Sequence, residues 1–505
     1  MSQPQHMDRL SALDASFLAQ EGPNTHMHIG AAAIFRGPAP SREQFLEHVG
    51  DRLALVPRYR QKLAQVPWGL GRARWIDDPT FNLDYHVRHS ALPRPGDEEQ
   101  LRRLIGRVFS QPLDRTRPLW ELWLVEGLSR RRFALIAKTH HALVDGVSGV
   151  DLTSMLFDPT PTPRRLEVED RWQPGPAPTP VQLTASALSG WAQTLARIPW
   201  RLATAAARPA AAATGVLELL EGVGEIARGS PAPENPLNVA VGPHRRVAFV
   251  PASLAELKLI KDAFGGTVND VVLSVVAGAL AHFFHARGLR VENLDLRVCV
   301  PISRRSETEG AAKGNRITQV VVALPVQIED PVARLAAVRR SMDGVKHSKQ
   351  AMGAEAIAAA QEFAPPTILA QASRLNFSSR FYNVLVTNVP GPQVPLYLCG
   401  HQLESVFPVA FLAGDRALAV AAMSYNGGIN FGLIADYDAV ADLDVVAEGI
   451  EASLAELVRG ARRATRRRSR PAHPSTPRPS APRLSTPRST GSPRARSPKS
   501  GPRSP

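Results

Sequence analysis

KTHHALVDGVSG, residues 138–149, closes an apolar run, RRFALIAKTHH (131–141), that reads as a β-strand. Two histidines stand side by side where the run ends, and Asp145 and Gly146 follow. On a strand, neighbouring side chains face opposite ways, so His140 and His141 cannot share one task. One can face a cleft while the other faces packing or backbone. An imidazole suits general-base work because its ordinary pKa lies near neutrality. The glycine lets the chain turn tightly or approach another group. Ser148 could cap a short helix ending near Phe157. Two adjacent histidines alone read as surface residues beside an Asp-Gly turn. His-His-x-x-x-Asp-Gly at a strand end is a far more specified pattern.

Working outward, the first part reads as mixed α/β. THMHIGAAAIF (25–35) has the look of a second strand. SREQFLEHVGDRLALV (41–56) and EEQLRRLIGRVF (98–109) have helical spacing of apolar residues, with Ser41 and Asp97 where N-caps belong. Residues 158–182 are rich in proline and charge and read as a connector. A long alanine-rich helical crossover is expected at about 183–228, broken by GSPAPENPLN (229–238).

A second α/β region starts near residue 244, with strands in RRVAFV, LDLRVCVPIS and RITQVVVALPV. VNDVVLSVVAGALAHFFHARG (268–288) is apolar on nearly every side and implies a buried helix. ALAVAAMSYNGGINFGLIADYD (417–438) reads as a hairpin around Asn426-Gly427-Gly428. A closing helix is expected over about 442–463. The division is therefore 1–160, a connector at 161–238, a second domain at 239–463, and a tail from 464. The tail is Pro, Ser, Thr and Arg, and it buries too little apolar surface to offset its ordering entropy, so disorder is expected.

Length agrees with this division, since 505 residues exceed one ordinary core. The two cysteines, Cys299 and Cys399, cannot make a disulfide framework and suggest a reducing cytosol. The N-terminal residues show no secretory signal. No run of about 18 uncharged apolar residues suggests a membrane span. The net charge of +14 is local: residues 459–505 hold 14 Lys and Arg and no Asp or Glu, which leaves 46 basic against 46 acidic residues in 1–458. The basic tail reads as a silent extension, as an attraction to anionic lipid, or as a nucleic-acid contact. Nucleic acid is the least expected of the three.

Several site candidates have structural readings too. Thr267-x-x-Asp270 has the form of a capping box, which by itself accounts for the Asn269-Asp270 pair. Pro118-Leu119-Trp120 reads as plain core. Asn388-Val389-Pro390-Gly391-Pro392 is a rigid turn. His26 and His28 could join the 140/141 pair around a metal, but no carboxylate or thiolate set accompanies them in sequence, and no metal is expected. No G-x-S-x-G elbow appears, and neither cysteine has a histidine nearby in sequence, so no side chain stands out as a covalent nucleophile.

His140, His141, Asp145 and Gly146 match the HHxxxDG motif of the CoA-dependent acyltransferase superfamily. The flanks narrow the resemblance. LSALDASFLAQEGPNTHMHIGA (10–31), PRYRQKL (57–63), PLDRTRPLWELWLVEGL (112–128), VNDVVLSVVAGAL (268–280) and NVLVTNVPGPQVPLYLCG (383–400) resemble the bacterial wax ester synthase/diacylglycerol acyltransferase family. The likeness runs in order over about residues 8–460. It implies two chloramphenicol-acetyltransferase-like α/β domains with the histidine loop at their interface. It also implies transfer of a fatty acyl group from acyl-CoA, a co-substrate, to diacylglycerol or a long-chain alcohol.

Within that resemblance His141 would be the general base and His140 would support it. Asp145 would hold the loop, and Leu119 and Trp120 would border a substrate pocket. Asn269 and Asp270 would lie beside the site, with Asn269 or Ser303 as candidate oxyanion donors. No cofactor is implied. The enzyme would be cytoplasmic and attached peripherally to the inner membrane face or to lipid inclusions. The competing expectation is a catalytically silent lipid-binding or inclusion-coating protein of the same fold.

Overall fold

The computed structural model describes residues 7–144, 155–164, 172–190, 235–303, 317–346 and 381–469, with isolated positions 170, 192 and 233. Its first six-stranded sheet comprises β2 (His28–Arg36), β5 (Val87–Ala91), β6 (Trp120–Leu128), β7 (Arg132–His140), β12 (Tyr397–Leu398) and β13 (His401–Val409), in the order β12-β13-β2-β7-β6-β5. All neighbours are antiparallel except β5 and β6. The second comprises β8 (Arg245–Ser253), β9 (Leu296–Ser303), β10 (Ile317–Leu324), β11 (Val384–Val389), β14 (Leu418–Tyr425) and β15 (Gly428–Asp436), in the order β10-β9-β11-β14-β15-β8. Here β11 runs parallel to both neighbours. A small sheet joins β1 (Met7–Arg9), β3 (Gln61–Ala64) and β4 (Arg74–Asp77) in the order β1-β4-β3.

The helices are α1 (Ala12–Gln20), α2 (Arg42–Leu53), α3 (Leu83–His86), α4 (Glu98–Ser110), α5 (His141–Val144), α6 (Leu254–Phe264), α7 (Val268–Ala286), α8 (Pro331–Lys346) and α9 (Leu443–Ser469). Ser41, Asp97 and Thr267 each form a complete capping box, satisfying N–H groups that α2, α4 and α7 would otherwise leave open. α7 is long and apolar enough to cross a membrane, yet most of it is buried inside the protein. It packs with α6, α8 and α9 over one face of the second sheet.

Three apolar clusters result. One lies under that helical layer. Another joins α2 and the small sheet to the first sheet. The third lies between the halves, and draws on α1, α4, β2, β6 and β7 from the first and on β8, β9, β11, β14 and β15 from the second. The two backbones come close where a Cβ added at Gly432 on β15 would stand 1.7 Å from the Pro408 carbonyl oxygen of β13. Only glycine allows that approach.

Two expectations change. Residues 239–463 do not form a self-contained domain, because β12 and β13 leave it and pair in the first sheet, β13 alongside β2. A strand's partner is a long-range choice that local pattern does not encode. The closing helix also continues through Ser469, past the expected stop near 463, because RRATRR continues with good helix formers and meets no proline until Pro471. The hairpin stands as read, with Asn426 and Gly427 both at positive φ, 43° and 83°. Of the expected crossover, residues 180–190 are helical; its greater part lies outside the described residues, as does the tail beyond 469.

Candidate active site

β7 ends at His140, and His141 opens the short α5, so the paired histidines straddle a strand-to-helix junction. His140 sits opposite His28 of β2 in the sheet register. Its N–H donates to the Leu119 carbonyl at 2.9 Å. Its ring is buried, Nδ1 accepts the N–H of Ala142 at 3.0 Å, and Nε2 lies 3.2 Å from Glu21 Oε1. A nitrogen that accepts a main-chain N–H carries no proton of its own. His140 therefore keeps its hydrogen on Nε2, facing the carboxylate.

His141 is fixed differently. Its main-chain N–H donates to the Met27 carbonyl at 2.8 Å. Its ring lies 4.0 Å, centroid to centroid, from Phe17 of α1 and 5.8 Å from Phe411, just after β13. Both phenylalanines belong to the cluster between the halves, so this imidazole stands where first-half and second-half residues meet. Nδ1 is buried without a hydrogen-bond partner among the described residues, while the residue keeps some accessible surface. Dense surroundings with residual access suit a group that faces a confined space. Burial first, and then the neighbouring His140 imidazole, pull the ring down to about 4; its own main-chain carbonyl acts weakly in the opposite direction. At neutral pH the imidazole is a free base.

Glu21 follows the last turn of α1 and sits between the supports of both histidines. Oε1 accepts the Met27 N–H at 2.9 Å, and Oε2 accepts from Arg115, through Nε at 3.1 Å and also through Nη2. Burial would raise its carboxyl, but His140, Arg115 and the Met27 N–H together bring it down to about 2. His28 lies 3.8 Å from the same carboxylate, and its Nε2 accepts the Leu113 N–H at 3.4 Å. Burial, followed by the neighbouring positive charge of Lys138, holds His28 well below its ordinary value. Lys138 is itself buried and donates to the Val108 and Gln111 carbonyls at the C-terminal end of α4, at 2.9 and 2.6 Å. Burial draws its amine down to about 8.

The structure brings together only part of the sequence-derived set. Leu119 touches the site through its carbonyl. Its side chain and that of Trp120 are fully buried in the core of the first half, where the Trp120 indole donates to Tyr59 O at 2.7 Å and stacks on His86. Asn269 and Asp270 lie in the first turn of α7, and the Asp270 carboxylate accepts the Thr267 N–H at 2.7 Å within the capping box. Neither shares a contact with His141 among the described residues. Ser303 closes β9. Asp145 and Gly146 lie outside the described residues.

His26 stacks on His28 at 5.1 Å, and Glu21 does accompany these rings in space, although no metal-holding group of three or more ligands occurs among the described residues. Sequence reasoning gave no role to Phe17, Glu21, Met27 or Phe411. The first three fall inside the block 10–31 used for the resemblance, but a lone Phe, Glu or Met carries no pattern of its own.

Comparison with known proteins agrees with this arrangement. The profile of the wax ester synthase/diacylglycerol acyltransferase catalytic domain matches residues 10–272, and that of the WS/DGAT C-terminal domain matches residues 313–458. A probable diacylglycerol O-acyltransferase of Mycobacterium tuberculosis, tgs1, is 35% identical over 472 residues, which span 92% of this chain and 98% of the relative. A second from that organism, tgs2, is 33% identical over 463 residues, spanning 89% and 99%. The solved wax ester synthase/diacylglycerol acyltransferase from Marinobacter aquaeolei VT8 superposes with a TM-score of 0.62 at 28% identity, over 90% of this chain and 99% of that one. The starter condensation domain of rhizomide synthetase, at 13% identity and a TM-score of 0.53 over 91% and 95%, shares the fold. The chain with its histidine pair between two α/β halves belongs to the wax ester synthase/diacylglycerol acyltransferase family.

Proposed function

We propose that this chain transfers a fatty acyl group from acyl-CoA to the hydroxyl of diacylglycerol or of a long-chain alcohol, with His141 as the general base. The observation that carries this reading is the His141 imidazole held between Phe17 and Phe411, its Nδ1 buried and without a hydrogen-bond partner among the described residues. Its Nε2 takes the proton as the alcohol oxygen attacks the thioester carbonyl. The tetrahedral intermediate collapses, the C–S bond breaks, and the thiolate leaves with that proton as free CoA. Such help is typically worth about 10²–10⁴-fold in rate.

Transfer is direct in this reading. Burial pushes the Cys299 thiol up to about 12 and the Cys399 thiol up to about 11, so neither is poised as a nucleophile. No cofactor takes part, and Asp145 holds the loop. Asn269 or Ser303 supplies an oxyanion contact, and Leu119 and Trp120 shape the pocket from behind by fixing the end of β7. The enzyme works in the cytoplasm at the inner membrane face or on lipid inclusions. The basic residues of 459–505 favour an anionic surface, each worth about 1 kcal/mol near it.

The test follows thiol release from palmitoyl-CoA with diacylglycerol or hexadecanol as acceptor. Release by the wild-type protein, lost by roughly 10²-fold or more in His141→Ala, is the expected result. Equal lipid binding by both proteins with no release identifies a silent lipid-binding protein instead.

A further inference from the structure

Glu21 makes contacts that a surface ion pair does not need. Its side chain is 10% exposed, and three groups of different origin converge on it. Arg115 approaches from the loop before β6, the Met27 N–H from the segment before β2, and the His140 ring from the end of β7. Two of these lead directly to the base. Met27 donates its N–H to Glu21 and accepts the His141 N–H on its carbonyl, so one fully buried residue links the carboxylate to the main chain of His141. The His140 ring faces Glu21 through Nε2 and accepts the Ala142 N–H through Nδ1. The same carboxylate therefore governs the N–H groups at 141 and at 142, the peptide units on both sides of the base's Cα. Phe17, one helical turn before Glu21 on the same side of α1, lies against the His141 ring itself.

From this geometry we infer that Glu21 is a positioning residue for acyl transfer, holding the strand-to-helix junction of residues 140–142 so that the His141 ring keeps its place between the two halves. The inference rests on the proposed role of His141 as base. Glu21 touches neither substrate nor the reacting atoms. It lies 3.2 Å from His140 Nε2 and, through Met27, holds the main chain from which His141 projects. A base displaced by about 1 Å loses on the order of 10²-fold in rate. Substrate affinity, which this junction does not set, is not expected to follow. Burial of the carboxylate means that no water readily substitutes for it.

The experiment compares wild type with Glu21→Gln, Glu21→Ala and Arg115→Gln in the thiol-release assay, with thermal midpoint and far-UV spectrum recorded for each. Glu21→Gln keeps an oxygen for the Met27 N–H but loses the charge that orients His140 and Arg115. It should lower kcat about 10-fold, and Glu21→Ala about 10²-fold, with the KM for palmitoyl-CoA changed by less than about twofold. Arg115→Gln removes the outer partner alone and should keep most of kcat. The graded loss in kcat per folded molecule is what a merely structural role would not produce.

Unchanged kcat in Glu21→Ala overturns the inference. So does a loss accounted for wholly by unfolded protein, a change confined to KM, or an Arg115→Gln defect equal to that of Glu21→Ala. A wild-type protein that releases no thiol overturns the function itself, which is a separate outcome.

Discussion

A base buried as deeply as His141 should leave a mark on the pH dependence. Its ring sits at about 4 where an exposed histidine sits near 6.5, because burial penalises the imidazolium. The free base is the active form, so kcat/KM should rise with pH through the His141 pKa and level off above it. The acid limb is then centred well below 6, and most activity survives at pH 5.5. A limb centred at 6.5, measured with an acyl-CoA stable over that range, contradicts this assignment. At this scale the sequence was partly legible. The histidines announced themselves because imidazoles at a strand end are chemically unusual, and alternation already implied different directions for His140 and His141. Glu21 and Met27 did not, since a carboxylate or a carbonyl becomes a support only through contacts made across the fold.

Elements were legible where their causes are local. Thr267 and Asp270 were readable as a capping box because the motif spans four residues and needs no tertiary context, and the box forms. Thr267→Ala should cost about 1 kcal/mol in urea denaturation. A loss near zero would mean that the helix end is held by other contacts. The migration of β13 into the first sheet was not legible, because its apolar pattern suits either sheet equally. Gly432 permits the close approach of the β13 backbone at Pro408 to β15. Gly432→Ala, whose added Cβ meets the Pro408 oxygen at 1.7 Å, should cost roughly 1–3 kcal/mol or more and loosen the joint between the halves. Gly427→Ala is the contrasting variant. Its Cβ meets nothing within 4 Å, so only the strain of its positive φ, roughly 1 kcal/mol, remains. Equal costs for the two would show that close approach of the sheets does not govern stability here.

Across the described residues five buried or half-buried imidazoles act together on stability. His26, His28, His48, His86 and His141 are all held below 6.5, with burial the leading cause in each. Unfolding returns them to about 6.5. Above that pH both states are neutral at these positions, and the stability they contribute is fully present. As the pH falls below 6.5, the unfolded chain binds protons that the folded one refuses, and stability declines until each folded pKa is passed. Glu21 adds a second window in the same direction: its carboxyl, lowered from 4.5 to about 2, contributes stability above 4.5 that is lost between those values. Lys138, lowered from 10.5 to about 8, stays charged throughout the acid range and gives no slope there. The urea midpoint should therefore fall gently as the pH is lowered from 8, where the folded Lys138 amine is still taking up its proton, and then more steeply from about 7 toward pH 4, before carboxylate protonation dominates. Each imidazole fully shifted across a unit of pH contributes at most about 1.4 kcal/mol. A midpoint that stays level from pH 7.5 to 5 would mean that these rings are solvated in the folded protein, and the neutral base between Phe17 and Phe411 would lose its physical ground. The same titration on His48→Asn separates the contributions. His48 Nε2–H donates to Leu156 O at 2.8 Å, away from the paired histidines, so its replacement should flatten the curve slightly and leave the acid limb of kcat/KM in place.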